Sequence, residues 1–137
     1  MKQYMTRNED RRQHRSQEPE EAIAYQVEHV VCDFDLECCL IVDSDGNRIA
    51  ASSKAEGSKT EALARLLPLI CAVEGPHRGH LERLRKAGWD VEIDEITSCV
   101  FRAGGRRHFI GAIGSEAVMN EVAIMRAITG ARRIHSE

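Results

Sequence analysis

Residues 36–53 read LECCLIVDSDGNRIAASS, and this stretch decides the fold. Leu36, Cys38, Cys39, Leu40, Ile41 and Val42 form a nearly continuous apolar run. Side chains on both faces of such a strand need cover, so it belongs in the middle of a sheet with something packed on each side. Asp43-Ser44-Asp45-Gly46-Asn47 supplies turn formers, and Gly46 can take positive φ without steric cost. A second, more polar strand follows to Ser53. The hairpin carries no chemistry, and no catalytic motif occurs elsewhere in the chain.

Upstream, Ile23, Val27, Val30 or Val31, and Phe34 form one apolar stripe of a helix that begins near Glu20. Downstream, Ser58-Lys59-Thr60-Glu61 has the spacing of a capping box. The helix it opens carries Leu63, Leu66, Leu67 and Ile70 on one face, and Leu69 and Val73 widen that surface. Pro68 lacks an N–H donor, so a kink or break is expected there. A short helix over 80–87 should follow, with Gly88 as its stop. Trp89, Val91 and Ile93 alternate with Asp90, Glu92 and Asp94, the pattern of a half-exposed strand. Apolar residues continue through Ile96, Cys99, Val100 and Phe101, either as one long bulged strand or as two strands with a tight turn at Asp94-Glu95. Ala103-Gly104-Gly105-Arg106 is a better turn, leading into a strand over 107–113. Ser115 is placed to cap a last helix with the stripe Val118, Val122, Met125 and Ile128, and Gly130 is placed to end it. This order predicts an α+β fold: an antiparallel sheet of four or five strands with helices on its faces. Residues 20–131 form the single domain, with a polar, disordered tail at 1–19 and a short tail at 132–137.

At 137 residues, one domain with one substantial core is expected. A net charge of −3 argues against a generic nucleic-acid binder. Five cysteines without framework spacing suit reduced thiols, four of them in apolar runs. No apolar stretch reaches 18 residues and no signal-peptide core is present, so a cytoplasmic protein without a membrane partner is expected.

Candidate chemistry is sparse. Cys71, Glu74, His77 and His80 include metal-ligating types but lack paired Cys-x-x-Cys spacing, and a loop with surface histidines explains them better. Cys38 or Cys99 would need His29 or His108 as a base, and nothing in the sequence fixes such a pair. Asp43 and Asp45 are turn formers beside Gly46. No catalytic, cofactor or metal residue is therefore assigned. Arg102, Arg106 and Arg107, with His108, surround the Gly104–Gly105 turn and form a candidate patch for an anion or an acidic partner. Arg11, Arg12 and Arg15 form a candidate docking arm in the first tail.

The turn Ile41-Val42-Asp43-x-Asp45-Gly46 followed by Ile49-Ala50-x-Ser52, with the leucine-rich helix 62–73 and the late hairpin and helix, resembles the Roadblock / dynein light chain family over residues 21–129. PAS, GAF and profilin-like domains share the element order, so a GAF- or PAS-like sensory domain is the alternative. Pro68 and the interruption at 75–79 depart from the family's single long second helix. The resemblance implies a non-catalytic module, commonly a dimer, that scaffolds or regulates partners such as small Ras-like GTPases. Leu63, Leu66, Leu67 and Ile70 are ordinary core on the plainer reading; the resemblance raises them, with the wider surface of Leu69 and Val73 and with Trp89 and Val91, as a dimer interface, and it transfers no catalytic, cofactor or metal residue.

Overall fold

A computed structural model describes residues 19–136, with the Glu20 side chain left out. The elements are α1 (Pro19–Asp33), β1 (Cys38–Val42), β2 (Arg48–Ser53), α2 (Gly57–Ala72), α3 (Arg78–Lys86), a 3-10 turn (Ile93–Glu95), β3 (Ile96–Ala103), β4 (Arg106–Ile113) and α4 (Ala117–Ser136). The four strands form one antiparallel sheet in the order β2-β1-β4-β3. The docking-arm arginines 11, 12 and 15 lie outside the described residues.

All five residues of β1 are buried, as a central strand between two layers requires. Cys39 and Ile41 enter a core shared with α1 and α4, while Cys38, Leu40 and Val42 enter a second core under α2 and α3. The molecule is thus three layers, helices on both faces of the sheet. Each fully buried Leu or Ile contributes about 1.5–3 kcal/mol by leaving water. The β1–β2 turn is held by Asp43, whose Oδ1 accepts from the Asp45 and Asn47 N–H groups at 2.9 Å each. Gly46 takes φ 82°, as the turn demands. Between β3 and β4, Gly104 and Gly105 take φ 60° and 76°, the two positive values of a type I′ turn.

Several local expectations are corrected. Helix α2 begins at Gly57 with Glu56 at its cap, so Ser58 lies inside the helix and makes no cap. It also runs through Pro68 to Ala72 without a break. Residues 89–92 pair with no strand, and the sheet has four strands among the described residues. The alternation there has another cause. Trp89 and Val91 turn into the α2–α3 core, and the Trp89 indole N–H donates to the Lys59 carbonyl at 2.8 Å.

The last helix differs most. It continues past Gly130 to Ser136, taking in residues 132–136. Gly130 serves close approach instead of termination, since a Cβ there would fall 2.6 Å from Gln26 Cγ on α1. The buried face is Ala123, Ile124, Ala127, Ile128, Ala131 and Ile134, with Asn120. Of the expected stripe only Ile128 is core, while Val118, Val122 and Met125 face outward. Alanines at 123, 127 and 131 let α4 sit close to α1 and the sheet, which larger side chains would prevent.

Candidate interaction surfaces

The α2 layer has two faces of different use. Leu63, Leu66, Leu67 and Ile70 point inward and pack on the sheet with Trp89 and Val91, each at most 6% exposed within a single chain. These six of the residues raised for an interface therefore gather in one place, but as core of one chain. The outward face of the same helix carries Leu69 (50% exposed) and Val73 (51%), with exposed Ala72 between them. On the opposite layer α4 exposes Val118 (72%), Val122 (47%) and Met125 (57%) at one-turn spacing. A size-weighted reading of α4 missed this. The spacing of Ala123, Ala127 and Ala131 was the signal that could have set the register.

The β3–β4 hairpin assembles a basic end. Arg102, Arg106 and Arg107 are all exposed, but the sheet divides them. Arg102 and Arg107 are cross-strand partners on the α2 side, in line with Val100 and Phe109. Arg106 shares the other face with Ala103. There α4 closes on the hairpin, and Arg132 Nε donates to the Arg102 carbonyl at 3.2 Å. His108 is buried on that face, stacked on Phe101 at 5.1 Å and in ring contact with His135 at 5.5 Å. Burial pushes His108 below its ordinary value. The neighbouring His135 and Arg106 charges act the same way, against a pull from the Arg106 carbonyl and Asp43.

The remaining polar candidates are engaged structurally. His77 N–H donates to His80 Nδ1 at 3.0 Å, and the His77 ring meets the Val73 carbonyl at 3.1 Å, so both histidines fasten the start of α3. Burial raises the Cys38 thiol to about 11 and lifts Cys39 further. Burial also raises Cys71 to about 11. Such thiols are protonated at neutral pH and poor as nucleophiles. Asp43 is lowered despite burial, because N–H groups of Asn47 and Asp45 and the Asn47 side chain hold its charge. Beside α3 an open groove is lined by Arg78, Leu81, Glu82, Arg85, Glu92, Ile93 and Asp94, and an Arg85–Glu92 ion pair of 3.3 Å ties its two sides together. No helix among the described residues is long and apolar enough to cross a membrane.

No protein-family model and no curated protein sequence matches the chain. Solved structures do. Myxococcus xanthus MglB is similar with a TM-score of 0.60 and 17% identity, over 88% of this chain and 92% of that one. The gliding protein MglB from Thermus thermophilus is similar with a TM-score of 0.60 and 15% identity, over 87% of this chain and 92% of that one. At these identities the likeness is one of fold, and the fold of this chain is Roadblock-like, as the sequence resemblance implied.

Proposed function

We propose that this chain is a cytoplasmic, non-catalytic scaffold or regulatory module that pairs with a second copy of itself and binds a partner protein of the small Ras-like GTPase class. The observation that carries the reading is the outward apolar face of α2, Leu69, Ala72 and Val73, on a helix whose inner face is already satisfied by the sheet. Exposed Leu and Val side chains at helical spacing gain little in water and gain about 25 cal/mol per Å² when a partner covers them. The Roadblock-like fold supports pairing, and the GTPase class comes from the family resemblance. The exposed stripe of α4 leaves a second face for the partner. A small-molecule sensor receives no comparable support, because Leu63, Leu67 and Ile70 fill the space between α2 and the sheet and the α3 groove is open and charged.

The test is sedimentation velocity on the wild type and on Leu69→Glu/Val73→Glu. The expected result is a dimer that the double variant converts to a folded monomer with unchanged circular dichroism. A double variant that keeps the wild-type dimer mass would count against the α2 face.

A further inference from the structure

The Arg102 carbonyl is turned out of the sheet to Arg132, and the hairpin closes through two residues, so Arg102 and Arg107 form a non-hydrogen-bonded pair. In such pairs the Cα atoms approach to about 4.5 Å and the side chains lie closer than in hydrogen-bonded pairs. Like charges directly opposite one another destabilise a sheet. Neither guanidinium has a carboxylate within ion-pair distance among the described residues. Asp43, in the neighbouring turn, has its carboxylate committed to Asp45 and Asn47. Exposed hairpin positions accept many neutral residues, so two facing arginines break a local rule without compensation among the described residues. Such breaks concentrate at sites of use.

We propose that Arg102 and Arg107 form a two-guanidinium clamp for carboxylates in an acidic, extended segment of a partner protein. Two forks side by side match carboxylate pairs with directional, charge-assisted hydrogen bonds. Val100 lies two residues before Arg102 on the same face and is 43% exposed, giving an apolar contact about 7 Å away for a neighbouring side chain of the segment. The segment crosses the sheet face instead of extending the sheet, because Arg132 already occupies the outward carbonyl of Arg102. The surroundings favour protein over nucleic acid. Phe101, Phe109 and Trp89 are buried, so none of them offers a base a stacking platform, and the whole chain carries −3. The clamp lies on the α2 side of the sheet, on the same strand face as Ser98, whose hydroxyl donates to the Gly75 carbonyl just after α2, and its residues are distinct from Leu69, Ala72 and Val73.

The experiment is fluorescence anisotropy with fluorescein-labelled hexaglutamate at low salt, with hexalysine, an oligo-dT strand and phosphatidylserine vesicles as separate arms. Wild type should bind hexaglutamate, Arg102→Gln/Arg107→Gln should weaken it by about tenfold or more, and Arg65→Gln on α2 should leave it unchanged. Arg107→Glu turns repulsion into a cross-strand attraction, so it should raise the melting temperature while losing the peptide. That combination separates a clamp from a structural role. Equal peptide affinity in wild type and the double Gln variant would overturn the proposal. So would absence of peptide binding, or binding of the oligonucleotide or vesicles in its place.

Discussion

Gly111 and Leu67 offer a quantitative check on how α2 meets the sheet. Gly111 lies on β4 between Leu40 and Ser98, facing α2, and a Cβ there would fall 2.7 Å from Leu67 Cδ1 and 3.2 Å from Cδ2. Carbon atoms prefer about 3.5–4.0 Å, and Leu67 is fully buried, where close packing resists a shift. Overpacking of this kind costs about 1–3 kcal/mol. Replacing glycine also removes about 0.4–1 kcal/mol of unfolded-chain freedom, so Gly111→Ala should destabilise by roughly 0.5–2 kcal/mol net. Leu67→Ala should cost about 2–5 kcal/mol, and the new methyl of Gly111→Ala would fill part of its cavity. The double variant should then fall short of the summed losses by about 1–2 kcal/mol, a difference from which the glycine entropy cancels. Urea unfolding followed by Trp89 fluorescence reports this, since the chain's single tryptophan packs in the same core. Additivity within about 0.5 kcal/mol, with Gly111→Ala harmless, would refute the close approach.

Asn120 is buried, and its Nδ2 donates to the Gly114 carbonyl at 3.0 Å and the Glu95 carbonyl at 3.2 Å, tying α4 to the open end of the β3–β4 pair, where β3 starts and β4 stops. Asn120→Ala should cost about 1–3 kcal/mol in the same urea assay by leaving a carbonyl unpaired, and an unchanged midpoint would exclude that role. His108 gives a pH dependence. Its folded value lies below the ordinary 6.5, so the unfolded chain takes up a proton first as pH falls. That contribution is present above about pH 6.5 and is lost as pH drops toward the folded value. The melting temperature should therefore fall between about pH 7.5 and 5.5, and His108→Phe, which keeps the ring stacked on Phe101, should blunt the fall. An identical fall in the variant would remove His108 as its source.

The hairpin at 36–53 was legible because its two signals are local: an uninterrupted apolar run that needs cover on both sides, and a glycine-containing turn. The Gly104–Gly105 turn was legible for the same reason. What the sequence blurred depends on who packs against whom. Alternation at 89–93 looks like a strand, yet Trp89 and Val91 alternate inward from a segment without a strand partner. The stripe Val118, Val122, Met125 looks like core by size, yet the close contact with α1 selects alanines. Gly130 reads as a stop, but a close neighbour explains a glycine there equally well, and Gln26 is that neighbour. Likewise Leu66 and Leu67 read along the chain as core, with the resemblance adding an interface as the other reading, and the sheet buries them within one copy. The facing of Arg102 and Arg107 required the register of β3 on β4, which charge counting along the chain does not contain.

The central claim is that this chain acts by pairing with itself and presenting surfaces. Absolute mass by light scattering across a concentration series tests it most directly. Self-pairing predicts a mass near twice the 15.4 kDa of one chain, held on dilution into the low micromolar range. A mass that stays at 15.4 kDa at every concentration would contradict it.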